Sequence, residues 1–261
     1  MTSLAARTIA ALRTEHDTLA ALVPTLTDDQ LTGPSGASEW SCAQVLSHLG
    51  SGSEISLASL RGALGEAEPP ADDFNQSVWA RWDSSTPQEQ RDGFLEHNLA
   101  LVKALEALSD EQHATLQIKL GFLPAPISVA SYAGMRLNEV AHHGWDVRVA
   151  GDAGAGLLGT STDVLLDHVS GDLGFLLGFI GKADLAPEHV VLDIGSSYRV
   201  LIDDTIGFGS ATDEPTATFT GAPEAALRLL FGRLGPAYTP AGVEVVGNIT
   251  LDELRAVFPG F

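Results

Sequence analysis

A chain of 261 residues, 44% hydrophobic and 18% charged, carries enough apolar material for a buried core and has room for one large or two modest domains. Its 14 basic and 34 acidic residues leave a formal net charge of −20, a field that disfavours phosphate backbones and anionic lipid, so neither nucleic acid nor a membrane is an expected partner. A single cysteine, Cys42, excludes an intrachain disulfide and a cysteine-based zinc cluster.

The first half reads as helices. Leu4, Ile9, Leu12, Leu19 and Leu22 form a stripe at helical spacing that ends near Pro24. Arg7, Arg13, Glu15, His16 and Asp17 interrupt this segment, so no signal peptide is expected there. No run approaches the ~18 apolar residues of a membrane span, and the cytoplasm is the expected location. Thr25 to Glu39, rich in Gly, Ser, Thr and Asp, reads as a loop. Ser41 with Gln44 is a capping-box signature for a helix carrying Val45, Leu46, His48 and Leu49. Pro69-Pro70 breaks that region, a long helical pattern runs from about Pro87 to Leu108, and Gly121 to Pro126 breaks the chain again. A further helix is predicted from Ser128 to about Ala150. Four principal helices predict an antiparallel bundle over residues 1–152.

The composition changes at Gly151-Asp152-Ala153-Gly154-Ala155-Gly156, the expected domain boundary. Residues 153–261 then read as an α+β layer, a sheet with helices packed on it. A helix is predicted around Thr162 to Leu177, and strands at Val190–Ile194, Tyr198–Ile202, Thr216–Thr220 and Val243–Val246. Helices at Pro223–Arg233 and Thr250–Val257 complete the layer, and no internal repeat is visible.

The chemistry concentrates in Asn138-Glu139-Val140-Ala141-His142-His143-Gly144-Trp145-Asp146. Glu139 and His143 stand one helical turn apart, and Arg136, Glu139, His143 and Asp146 form one continuous stripe. Charged groups facing into a bundle are costly unless paired or bound to a cation. A carboxylate and an imidazole at this spacing, met by a histidine from another helix, can hold a divalent metal with a position left open for chemistry. The alternative is a solvated stripe, with Ala133, Leu137, Val140, Gly144 and Val147 facing the core. By spacing alone His142 competes with His143, and His48 taken alone is an ordinary helix histidine. Cys42 reads as a small buried hydrophobe, and Trp40 and Trp145 as core anchors. The chain has no Gly-rich nucleotide loop between a strand and a helix, no Gly-x-Ser-x-Gly elbow and no His-Glu-x-x-His motif.

These motifs resemble a known family. W-S-C-A-Q-V-L-S-H-L at Trp40–Leu49 and E-V-A-H-H-G-W-D-V at Glu139–Val147 are similar to the paired signatures of the mycothiol-dependent maleylpyruvate isomerases, actinobacterial members of the DinB-like metal-binding bundle superfamily. Thr218-Phe219-Thr220-Gly221, Leu229-Leu230-Phe231-Gly232-Arg233 and Val243-Glu244-Val245-Val246-Gly247-Asn248 resemble that family's sterol-carrier-like C-terminal domain. The resemblance implies that His48, Glu139 and His143 ligate a divalent metal, usually zinc, and it favours His143 over His142. It also implies mycothiol, a low-molecular-weight thiol, as cosubstrate, with the metal presenting its thiolate. In an isomerase the thiolate adds to an activated cis double bond, permits rotation and leaves; in a transferase it displaces a leaving group or opens an epoxide and stays attached.

On this reading Arg136 orients Glu139, Asp146 accepts from a ligand histidine, and Arg233 reaches toward a carboxylate of substrate or thiol. Two positions depart from the family pattern: Leu234 stands where a second arginine is common, and Asn248 where an aspartate is usual. The expected protein is thus a metal-dependent mycothiol-using isomerase or S-transferase acting on a small electrophile. Two other readings share the scaffold: a non-catalytic small-molecule binding protein, and a thiol-independent hydrolase working through metal-bound hydroxide.

Overall fold

Local capping chemistry sets the helix boundaries of the first half. In the computed structural model, which describes residues 2–260, α1 spans Leu4–Leu22 behind Ser3, whose hydroxyl accepts the Ala6 amide. A Thr27–Gln30 capping box starts a short α2, Asp28–Thr32, inside the stretch that reads as loop. The helix α3, Cys42–Leu64, begins at Ser41, which caps Gln44 while the Gln44 side chain caps Ser41 in return. It ends at Gly65 in the left-handed region. Between Pro70 and Pro87 lies α4, Phe74–Asp83, a helix the sequence pattern does not announce. No side chain caps its N-terminus, and only Val78 and Trp82 of its ten residues are buried, too few for a visible stripe.

Next come α5, Pro87–Glu106, behind a Thr86–Glu89 capping box, and the short α6, Asp110–Thr115. Two two-residue strands, β1 (Gln117–Ile118) and β2 (Ile127–Ser128), pair antiparallel across the Gly121–Pro126 break. The chain then enters α7, Val129–Val149, capped by Ser128 as its sequence predicts.

The four long helices close into a ring: α1 packs on α7, α7 on α3, α3 on α5, and α5 on α1. Their core includes Leu12, Leu19, Leu46, Leu49, Leu60, Phe94, Leu101, Leu105, Leu137 and Trp145. Trp82 of α4 slots between α3 and α5 at two glycines. A Cβ at Gly50 would lie 2.1 Å from its indole and one at Gly93 2.8 Å from it, so both positions exclude even a methyl group.

The chain divides into two units, residues 1–151 and 152–261. The second holds α8 (Gly159–Val169) and α9 (Leu176–Ile180), two pieces where one continuous helix is expected. The helix stops because Ser170 and Gly171 turn the chain, and Leu173 N–H returns to the His168 carbonyl. Five strands follow: β3 (Val190–Asp193), β4 (Arg199–Ile202), β5 (Ile206–Phe208), β6 (Ala217–Thr220) and β7 (Glu244–Gly247). They form one mixed sheet in the order β5-β4-β3-β6-β7, parallel only between β3 and β6. Burial alternates along β4 and β6, as expected of strands with one face on a core. α10 (Pro223–Leu230) and α11 (Leu251–Val257) complete the unit. The fold class is therefore a helical bundle followed by a mixed-sheet α+β unit. Among the described residues, no helix is long and apolar enough to cross a membrane.

Candidate metal centre

The anomaly of α7 is that it has no dry face and wet face. Ala133, Leu137, Val140, Ala141 and Val147 are buried, and so are Arg136 and Asp146 on the polar stripe. The solvated-stripe alternative therefore does not describe this helix, and each polar group on it needs a partner.

Those partners build a site. His48 on α3 and Glu139 on α7 meet with Nε2 and Oε2 2.7 Å apart. His143, one turn further along α7, brings its Nε2 to 3.8 Å from the same oxygen. One donor atom from each of the three residues lies within 4.8 Å of the others, close enough to share one metal ion. His142 does not join them: its Nδ1 bonds the Asn138 carbonyl of its own helix at 2.9 Å.

The surroundings hold these groups in place. Asp146, fully buried, pairs with His143 Nδ1 at 2.9 Å, which holds the ring with its Nε2 on the Glu139 side. Trp40 stacks on the His143 ring at 5.8 Å and lies 5.2 Å from the His48 ring. It is 37% exposed, a lid over the histidines rather than the core anchor its sequence suggests, whereas Trp145 is fully buried. The segment before Trp40 reaches α7 through a Gly36 N–H bond to the Asp146 carbonyl at 2.7 Å. A Cβ at Gly36 would lie 2.7 Å from Val149 and 2.9 Å from Trp145, so this close approach requires glycine.

Beneath Glu139 lies a polar network that joins all four long helices. Arg136 Nη2 donates to the Leu49 carbonyl at 2.6 Å and to Ser53 Oγ at 2.8 Å, and reaches Asn98 Oδ1 at 3.5 Å. Asn98 in turn donates from Nδ2 to His16 Nδ1 at 2.9 Å. Arg136 makes no hydrogen bond or ion pair with Glu139 among the described residues; it acts on that carboxylate through charge. Burial alone would raise the Glu139 carboxyl. The His48 hydrogen bond and the charges of His143, His48 and Arg136 outweigh it and hold the group well below the usual carboxylate range. Burial brings the Arg136 guanidinium down to about 10, against the pull of Glu139, so it stays cationic at neutral pH.

Arg233 belongs to the second unit, just past α10. Its backbone N–H closes on the Arg228 carbonyl at 2.6 Å, and its Nη1 donates to the Phe231 carbonyl at 3.0 Å. The two positions that depart from the family pattern both serve this unit's packing. Leu234 is buried, and Asn248 Nδ2 donates to the His189 carbonyl at 2.9 Å. Cys42 is buried with its thiol pushed up by burial, the behaviour of a structural residue.

An open cleft of about 600 Å³ borders His48, lined by Trp40 and, from α4 and α5, by Trp79, Asp83 and Gln90. Sequence reasoning misses Trp79 and Asp83 because α4 is not legible, and Gln90 because nothing local marks it on the legible α5. The one available signal is the pair of tryptophans, Trp79 and Trp82, three residues apart between two proline breaks.

The class follows from comparison with known proteins. The model of the mycothiol maleylpyruvate isomerase N-terminal domain matches residues 12–148, and the chain belongs to that family. Two uncharacterized proteins of Mycobacterium tuberculosis are each 28% identical to it over 149 residues, 57% of this chain and 66% of theirs, so the chain spans less than two thirds of their length. A Geobacillus thermodenitrificans protein named "Putative metal-dependent hydrolase" is 37% identical over 73 residues, 28% of this chain and 41% of that one. In fold, the chain is similar to the crystal structure of the mycothiol-dependent maleylpyruvate isomerase, with a TM-score of 0.66 at 17% identity over 95% of this chain and 98% of that one.

Proposed function

We propose that this protein is a metal-dependent enzyme using a low-molecular-weight thiol, mycothiol, either to isomerise a small electrophile or to be transferred through its sulfur onto it. The observation that carries this reading is the convergence of His48, Glu139 and His143 donor atoms within 4.8 Å beside an open cleft. Two neutral imidazoles and one carboxylate are a donor set suited to zinc, and three protein ligands leave a position for a reactant. A divalent cation held there lowers the pKa of a thiol it coordinates and so supplies a thiolate at neutral pH.

The chain's own residues do the rest. Asp146 fixes the tautomer and plane of His143. Trp40 restricts both imidazoles and shields one side of the site from water. Arg136 adds a buried positive charge one turn from Glu139, which favours an anionic reactant over a neutral one.

A second reading, metal-dependent hydrolysis without a thiol, is favoured by the name of the Geobacillus relative. Turnover in thiol-free buffer separates the two. The metal centre itself is tested by titrating metal-free protein with zinc: the wild type binds one equivalent and His48→Ala loses tight binding. Equal binding by the variant would remove the basis of the assignment.

A further inference from the structure

Ser47 of α3, 6% exposed, and Gln90 of α5, 7% exposed, both line the cleft beside His48, and each keeps a polar atom that the fold does not use. Ser51, Ser53 and Ser59 turn their hydroxyls back onto α3, to the His48, Leu49 and Ile55 carbonyls. Ser47 makes no hydrogen bond with any described residue. Gln90 donates from Nε2 to the Trp82 carbonyl at 3.0 Å. Only the amide nitrogen can donate to a carbonyl, so this bond fixes which end of the side chain is which. Its Oε1, a pure acceptor, is left without a partner among the described residues.

A ligand that displaces water from these two atoms must pair them or bear the cost of stranding them. Ser47 can donate or accept and so discriminates little, whereas Gln90 Oε1 demands a donor. A carboxylate brings acceptors alone and finds no lysine or arginine among the lining residues. An ester or a hydrocarbon leaves the Gln90 oxygen unpaired. A carboxamide supplies an N–H for Gln90 and a carbonyl for the Ser47 hydroxyl. We infer that the cleft selects its electrophile by an uncharged N–H donor, taking a carboxamide ahead of a carboxylate, with Gln90 the specificity-determining residue and Ser47 its complement. The inference rests on the thiol reading above only in calling this ligand the electrophile. The anionic reactant that Arg136 favours is then the thiolate, and the two preferences do not conflict.

The test uses saturated probes, which no thiol attacks, on isotopically labelled full-length protein without zinc. Succinamide, succinate and dimethyl succinate share one carbon backbone and differ in what their ends offer. Each is titrated while the backbone amide shifts are followed by NMR. Wild type binds succinamide roughly tenfold more tightly than either of the others, the scale of one hydrogen bond made or stranded. Gln90→Leu, which keeps the volume and removes the acceptor, abolishes that preference. Because Gln90→Leu also strips the Trp82 carbonyl of its donor, Ser47→Ala serves as a second variant. The Ser47 hydroxyl bonds nothing in the fold, and its loss weakens succinamide binding several-fold with the rest of the spectrum unchanged. A wild type that binds none of the probes or all three alike would overturn the inference. So would a succinamide preference that survives both substitutions in proteins whose spectra stay dispersed. A Gln90-dependent preference in a protein that shows no thiol-dependent turnover would strike the thiol reading and keep Gln90 as the selecting residue.

Discussion

Asp146 bears on the proposed centre without being one of its three donors. With its carboxylate 2.9 Å from His143 Nδ1, it sets the plane in which the imidazole is presented. Asp146→Asn is nearly isosteric but cannot accept from Nδ1–H as strongly. Zinc affinity is expected to fall on the order of 10–100-fold, with the thermal midpoint little changed; a competition titration against a chelating dye reads it. The i,i+4 spacing of Glu139 and His143 was legible in the sequence, and so was the link from His143 to Asp146. Spacing alone left the choice between His142 and His143 open, and only the family resemblance favoured His143. In the structure the choice follows from helix rotation, which turns His142 onto the Asn138 carbonyl and His143 toward Glu139 and His48. Trp40 was misread for a similar reason: composition favours a buried indole, but only the Gly36 contact with α7 shows that the loop carries it over the site.

At the scale of elements, the bundle is held in register by one polar chain, His16 on α1, Asn98 on α5, Ser53 on α3 and Arg136 on α7. Its direction is fixed at the Arg136 end. A guanidinium only donates, so Asn98 presents its oxygen there and its NH2 to His16, whose Nδ1 must accept and stay unprotonated. Burial lowers the His16 pKa, and Arg13 on its own helix and Lys103 on α5 push the same way against Asp17 and Glu106. A histidine held below its unfolded value binds fewer protons folded than unfolded, so its contribution to stability is full above about pH 6.5 and is lost as pH falls below it. Urea unfolding at pH 8, 6.5 and 5.5 is expected to show stability declining over that window, and His16→Gln to flatten the decline. An equal slope in the variant would assign the effect elsewhere. The long helices were readable because their stripes and capping boxes are local features, whereas α4 was hidden because its meaning lies in the gap that Gly50 and Gly93 leave for Trp82.

At the scale of the whole molecule, the chain separates into two units, and all three proposed metal ligands lie in the first with Asp146, Arg136 and the cleft. A fragment of residues 2–151 is therefore expected to unfold cooperatively and to bind zinc as the full chain does. Aggregation, or loss of zinc binding in a folded fragment, would show that the centre needs residues beyond 151. The second unit's fold class was legible from strand alternation. Its strand order was not, since the parallel β3–β6 pair joins strands distant in sequence and has no local signature. The net charge of −20 makes phosphate backbones and anionic lipid unexpected partners and identifies none. The central claim, a His48–Glu139–His143 metal centre open to a thiol, is tested most directly by X-ray absorption at the zinc edge, with and without mycothiol. The account predicts light-atom ligands alone before the thiol is added and one sulfur at about 2.3 Å afterwards. A zinc shell that stays free of sulfur at saturating mycothiol would contradict it.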